Sequence, residues 1–233
     1  MSLILHIETA TSICSVALSE DHKLVAWRET RNPNSHSELL TVFIEEIFSE
    51  TGKNLNELDG VCVSKGPGSY TGLRIGVSVA KGLCYALNKP LISVGTLTAM
   101  AYGAAEQLPD LDASTLLCPM LDARRMEVYY AIYSHKMDVI HSPAAEIMHE
   151  NFFADLTEGK QLLLFGDGME KCKPLFEKNR EIHFLDHFLP SAKYMIIPAL
   201  QKFKNHDFED VAYFEPFYLK DFIAGKPHVK GLK

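Results

Sequence analysis

Residues 3–29, LILHIETATSICSVALSEDHKLVAWRE, hold three short runs, Leu3–Glu8, Ile13–Ser19 and Lys23–Glu29, separated by turn-forming residues. The runs are β-branched and short, so the stretch predicts three strands of a meander. Working outward, Ser37–Thr51 predicts a helix: Leu39, Leu40, Phe43, Ile44, Ile47 and Phe48 recur on one face, and Gly52 closes it. Gly60–Lys65 is a short apolar strand, followed by a glycine-rich turn and a helix over Thr71–Leu87 that Asn88 and Pro90 end. Leu91–Val94 adds a strand and Thr96–Gln107 a helix.

The same order then recurs. Thr115–Leu121, Met126–Ser134 and Met137–His141 predict strands, Glu146–Leu156 a short helical stretch, and Gln161–Phe165 a strand. Met169–Lys178 predicts a helix, Ile182–Leu185 a weak strand, and Ser191–Lys204 a helix opening at Pro190-Ser191. Glu8–Lys23 can be laid on Asp122–Met137 without a gap, bringing Glu8 onto Asp122, Ala17 onto Ala131 and Leu18 onto Ile132. Identity across the overlay is slight, so the element order carries the inference. Given twice, it is the pattern of a duplicated ribonuclease-H-like unit, and two such units make the actin-like α/β (ASKHA) architecture. Each mixed sheet then needs helices on both faces. Two unrelated α/β domains are the alternative. The expected units are 1–107, 108–206 and a C-terminal segment with a basic tail, 207–233.

Composition is that of an ordinary globular chain: 47% hydrophobic and 23% charged residues. No apolar run approaches a membrane span, and Leu3-Ile4-Leu5 is too short for a signal-peptide core, so a cytoplasmic protein is expected. Five scattered cysteines without a C-x-x-C suit buried positions in a reducing compartment. The net charge of −7 speaks against nucleic-acid binding by the chain alone. Only Lys220–Lys233 departs from it, with four lysines against Asp221. Such a segment reads as a solvated tail.

Residues able to carry chemistry are few. Gly66-Pro67-Gly68-Ser69-Tyr70-Thr71-Gly72 joins a strand to a helix, where N–H groups favour anions. It is neither a Walker loop nor G-x-G-x-x-G, whose last glycine would fall on Thr71. In the following helix Gly72, Gly76, Ala80 and Cys84 stand four apart, so small residues line one face. Interior glycines cost about 1 kcal/mol each, a cost expected where another backbone approaches, in this chain or in another subunit. The two hairpin turns, Glu8-Thr9-Ala10-Thr11-Ser12 and Asp122-Ala123-Arg124-Arg125, lie where actin-like kinases hold nucleotide phosphates. Both lack glycine, leaving less room for a phosphate. Glu8, Thr9, Thr11, Ser12 and Asp122, with Gly166 and Gly168 of a turn that could border an adenosine, are the candidate ATP or ADP contacts. His183 and His187 share a face only on a helix and sit in extended chain, so they make a poor metal pair. His36, opening the first long helix, reads as neither special nor buried. No catalytic nucleophile or metal site assembles.

Several segments together resemble a known family: Ile4–Ala10, Ser35–Leu40, Ser64–Gly76 and Leu121–Tyr129, with Glu215-Pro216-Phe217-Tyr218-Leu219-Lys220 near the end. The run Gly66-Pro67-Gly68-Ser69-Tyr70-Thr71-Gly72-Leu73-Arg74-Ile75-Gly76 is long and specific. The chain is similar to the TsaB (YeaZ) family, whose members are subunits of the bacterial machinery for N6-threonylcarbamoyladenosine in tRNA and paralogues of TsaD. The match is dense over residues 1–105 and thins beyond.

The resemblance implies a non-catalytic scaffold and activator. TsaD would be its heterodimer partner, a TsaE-like ATPase would join them, tRNA would be met only through the complex, and a homodimer would form when TsaD is absent. TsaD holds its metal through H-x-x-x-H; the matching stretch here is Thr96-Leu97-Thr98-Ala99-Met100, without either histidine. A hydroxyl and a thioether do not replace two imidazoles on a catalytic divalent ion. The superfamily's older glycoprotease (M22) label therefore finds no support. Family members pair through the two N-terminal helices in a four-helix bundle, which here implicates Leu39, Phe43, Ile47, Gly72, Leu73, Gly76, Val77 and Ala80. A free-standing actin-like small-molecule kinase or nucleotide hydrolase is the rival function.

Overall fold

The computed structural model describes residues 1–32, 36–155 and 159–220. Strands β1 (Leu3–Glu8), β2 (Cys14–Glu20) and β3 (Lys23–Thr30) form the expected meander; helix α1 (His36–Thr51), β4 (Gly60–Ser64), α2 (Tyr70–Leu87), β5 (Leu91–Val94) and α3 (Thr96–Gln107) follow. The second series is β6 (Leu116–Asp122), β7 (Glu127–Tyr133), β8 (Val139–Ile147), β9 (Leu162–Phe165), α4 (Asp167–Phe176), β10 (Ile182–Leu185) and α5 (Ile196–Lys204), the last preceded by a 3-10 turn over Ala192–Met195.

The two sheets are copies of one plan. The first runs β3-β2-β1-β4-β5 and the second β8-β7-β6-β9-β10, with β1–β2, β2–β3, β6–β7 and β7–β8 antiparallel and the other pairs parallel. Glu8 and Asp122 are the equivalent last residues of β1 and β6. The ungapped overlay beyond them is wrong by one residue. His6 pairs with Ala17, whereas its equivalent Met120 pairs with Tyr130, so Ala17 matches Tyr130 and not Ala131. The cause is a second turn one residue shorter than the first, closed by Arg124 and Arg125 at φ 72° and 53°.

A second departure is the helix expected over Glu146–Leu156. Glu127 pairs with Ile147 and Tyr130 with Ala144, so β8 continues through the start of this stretch. Pairing with β7 outweighs local preference here. Turns occupy 150–155, and Leu156 lies outside the described residues. Pro143 sits within β8, the sheet's edge strand, where a missing N–H is tolerated.

Packing builds five layers. Ile44, Ile47, Val77 and Ala80 of α1 and α2 cover one face of the first sheet, on Leu5, Ile7, Val16 and Val63. Its other face contributes Ile4, Cys62, Ile92 and Val94 to a core shared with α3, α5 and the 3-10 turn, through Leu97, Met100, Met195 and Ala199. Leu117, Ala131, Tyr133 and Phe165 of the second sheet close that same core from the far side. Met169, Cys172 and Phe176 of α4, with Phe153, cover the outer face of the second sheet. Ala192 N–H donates to Ser15 Oγ (3.0 Å) and Ser191 Oγ to Glu29 Oε2 (2.7 Å), further joining the two halves.

Beyond α5 the chain returns to the first sheet as a strap. Glu209 N–H donates to Leu91 O (2.8 Å) and Phe217 N–H to Lys65 O (2.7 Å), while Lys81 Nζ donates to Ala212 O and Phe214 O. The Tyr218 ring packs, tilted by 37°, on that of Tyr70 with centroids 4.8 Å apart, and Lys220 bridges to Glu127 on β7.

Candidate functional site

The carboxyl ends of β1, β4 and β5 converge, as open α/β sheets require of their ligand-facing edge. Glu8 ends β1 fully buried; its Oε1 accepts from Ala10 N–H (2.6 Å) and Ser64 Oγ–H (2.9 Å), while Oε2 has no partner among the described residues. Burial raises its carboxyl from an ordinary 4.5 to about 7. No cation faces it.

The loop after Glu8 is occupied by the chain itself. Thr9 and Ala10 are buried, and Ala10 O accepts from Ser69 N–H (2.6 Å) at the start of α2. A Cβ on Gly68 would strike Ala10, one on Gly72 would strike Thr9 O, and one on Gly76 would strike Thr9 Oγ1. His36, expected to be neither special nor buried, is 7% exposed, with its Nε2 2.9 Å from Thr11 O and 3.1 Å from Ile13 O. The loop closes over β1 because α2 and His36 tie it down; Thr11 is half-buried and Ser12 exposed. Ser69 caps α2 through Gly72 N–H at 3.3 Å.

The second hairpin is equally engaged. Asp122 Oδ1 accepts from Arg124 N–H (2.8 Å) and from Lys171, and Asp122 N–H donates to Asp167 Oδ1 (3.0 Å). Gly166 and Gly168 cap and open α4 rather than forming a free turn, and a Cβ on either would meet the backbone of Met120 or Leu121. These glycines let α4 approach β6. Burial also pushes the Asp167 carboxyl up, and Asp167 and Glu170 fill the first turn of α4 with acids, which a phosphate would have to oppose. The nucleotide candidates thus fall at two equivalent strand ends whose backbone groups are largely spoken for.

Among the described residues no cluster of His, Cys, Asp and Glu could hold a metal ion. Thr96 and Met100 are wholly buried, the methyl of Met100 packing close to Gly166. His183 is exposed on β10, and His187 follows that strand. All five cysteines are free and buried, and burial pushes the Cys14 and Cys84 thiols up to about 11 and about 12, unfit as nucleophiles at neutral pH.

The small-residue face of α2 corrects the reading of it as a subunit contact. Gly72, Leu73, Gly76, Val77 and Ala80, with Ile47 of α1, are buried within this one chain, because that face lies on Thr9 and the first sheet. Leu39 and Phe43 are half-buried. The surface that α1 and α2 turn outward instead carries Val42 (39% exposed), Ser78, Gly82 and Tyr85 (86%), with Ile75 and Val79 half-buried between them. A Cβ on Gly82 would meet nothing within 4 Å. Sequence reasoning missed this side; its signal is Ser78, Gly82 and Tyr85 at i, i+4 and i+7.

A family described as "TsaD: tRNA N6-adenosine threonylcarbamoyltransferase" matches residues 31–226. The "tRNA threonylcarbamoyladenosine biosynthesis protein TsaB" of Escherichia coli (strain K12) is 32% identical over 231 residues, covering 96% of either chain. This chain belongs to the TsaB family. YeaZ from Pseudomonas aeruginosa superposes with a TM-score of 0.82 at 25% identity, covering 94% of this chain and 100% of that one. The ethanolamine utilization protein EutJ from Carboxydothermus hydrogenoformans shares the fold more distantly, at a TM-score of 0.52, 8% identity and coverage of 84% and 89%. The architecture is the actin-like duplicated α/β fold. No helix among the described residues is long and apolar enough to cross a membrane.

Proposed function

We propose that this chain serves tRNA N6-threonylcarbamoyladenosine biosynthesis as a non-catalytic scaffold and activator, pairing with a TsaD-like paralogue and, with it, a TsaE-like ATPase. The observation that carries the reading is the outward face of α1 and α2: Tyr85 stands 86% exposed one turn beyond the bare backbone at Gly82, on helices that also expose Val42 and part of Val79. An exposed aromatic next to a glycine on a rigid helix pair is what a partner's helices can pack against closely. The same face serves a homodimer when the paralogue is missing. Engaged hairpins, buried thiols and the replacement of H-x-x-x-H by Thr96 and Met100 support a chain without turnover of its own. They also weigh against the kinase or hydrolase reading and against a tightly held ATP or ADP. Five free cysteines fit a cytoplasmic setting.

The test is to mix the purified chain with the TsaD-like paralogue and weigh the product by native mass spectrometry. A heteromer is expected from the parent and its loss from Tyr85→Ala with Val42→Glu. No heteromer from the parent at micromolar concentration ends this reading, and threonylcarbamoyladenosine formed by the chain alone ends the non-catalytic part of it.

A further inference from the structure

The β6–β7 turn is built at an unusual conformational expense. Arg124 and Arg125 are both left-handed, at φ 72° and 53°, in a tight hairpin turn where asparagine and glycine are the residues at ease. Two consecutive side chains in that region persist only when the surroundings hold them. Here they do: Asp122 Oδ1 accepts from Arg124 N–H, Ala123 N–H donates to Glu127 O (3.1 Å), and Glu127 N–H donates to Arg124 O (3.2 Å).

The charges around the turn are arranged so that the arginines stay unneutralised. Asp122 and Glu127 flank the pair, yet Asp122 is bridged by Lys171 and Glu127 by Lys220; the acids that oppose a phosphate at the start of α4, Asp167 and Glu170, lie on the Asp122 side of the turn. Neither guanidinium has an acid or a hydrogen-bond partner among the described residues, and both arginines are exposed. Lys220 and Arg124 meet at Glu127, whose carboxylate is bridged by the first and whose N–H donates to the carbonyl of the second. Met126 (40% exposed) and Ile147 (66%) border it. The tip stands at a sheet end, outside the cavity lined by Lys65, Gly66 and Phe217 and the one lined by Ile13, Glu29 and Tyr194. An exposed cationic tip suits an extended polyanion better than a small nucleotide, which is held in a concave site.

Resting on the proposed role in tRNA modification, we infer that Arg124 and Arg125 form a contact for the phosphodiester backbone of the RNA substrate, fixed by the turn before binding. Guanidinium forks take phosphate oxygens in pairs, and a rigid turn spares the ordering that a flexible loop would need. Backbone contacts of this kind position an RNA without reading its bases. In a chain of net charge −7 such a contact positions a substrate that the complex as a whole must hold.

The test is a double substitution, Arg124→Gly with Arg125→Gly, in the full chain complexed with the TsaD-like paralogue. Glycine relieves the left-handed strain, so the variant is expected to melt higher than the parent. Its complex should bind tRNA about tenfold more weakly near 0.1 M salt, and the slope of log affinity against log salt should shrink by about one to two. Arg124→Lys with Arg125→Lys should keep the slope and lose part of the affinity. If the complex survives, as checked by its mass, and tRNA affinity and slope are unchanged, this inference is overturned while the scaffold reading stands. A loss confined to ATP binding also overturns it. Should the parent chain form no complex, the scaffold reading fails and this inference, which rests on it, is overturned with it.

Discussion

Thr9 Oγ1 lies against Gly76 so closely that a Cβ on that glycine would collide with it, and both residues belong to one chain. Gly76→Ala should therefore destabilise the folded subunit. The helix gains about 1 kcal/mol in propensity from alanine, but overpacking against a β-branched, buried partner costs about 1–3 kcal/mol. Gly82→Ala, on the same helix with open space around it, should raise stability by up to about 1 kcal/mol. Urea unfolding of the two variants checks the pair. A stabilising Gly76→Ala would put the small-residue face back at a subunit boundary.

Stability should respond to pH through two buried groups of opposite sense. Burial raises Glu8 to about 7, so the folded state holds this proton more tightly than the unfolded one, and stability falls as pH climbs from 4.5 to 7. Burial lowers His6 from 6.5 to about 3, so stability falls as pH drops from 6.5 towards 3. Between 4.5 and 6.5 the two slopes oppose each other. Glu8→Gln should leave the His6 slope alone and raise stability at pH 8 by up to about 3 kcal/mol, with little change near pH 4. Denaturant midpoints across that range give the answer, and parallel curves for parent and variant would contradict it.

Tyr85 offers the cleanest separation of binding from folding. It is 86% exposed, so Tyr85→Ala should leave the melting temperature within about a degree, since isolated surface changes stay within ±0.5 kcal/mol. Association with the TsaD-like paralogue should weaken at least about tenfold, the usual cost of a central aromatic anchor. Titration calorimetry with unchanged affinity would move the interface elsewhere.

Gly66 holds the strap in place. It sits at φ +108°, and a Cβ there would come within 2.6 Å of Phe217 O. Gly66→Ala should displace the strap, so that limited proteolysis cuts the stretch from Glu209 to Lys220 faster than in the parent. Equal cleavage rates would show that the strap is held without this contact.

Much of this architecture was legible because hydrophobic period and glycine punctuation agreed locally: the meander at Leu3–Thr30, α1 from its Leu39–Phe48 face, and the recurrence of the order after Thr115. What was hidden is instructive. The one-residue deletion in the second turn leaves no mark in composition, since Arg-Arg is not a turn signal. The extension of β8 over Glu146 is decided by pairing with Glu127–Tyr133, a contact distant in sequence. Small residues on α2 announced a close approach but not whose backbone approached. His36 looked ordinary because its two carbonyl partners, on Thr11 and Ile13, are 25 and 23 residues away in the chain, where no local pattern joins them to it. The strap was visible only as Glu215–Lys220, a motif without a mechanism, and the tail beyond it, with Ser35 of the His36 motif, lies outside the described residues.

The shared core around Leu97, Met100, Met195 and Ala199 has a mechanical consequence. In a clamp-like enzyme the halves swing about a hinge, and each half keeps a hydrophobic interior of its own. In this chain the inner helices are glued to both sheets at once, so parting the halves would expose the interior itself. The laminate should melt in one calorimetric transition, with equal calorimetric and van't Hoff enthalpies. Its outer faces are thereby held at a fixed spacing, since neither half can shift without opening the core they share.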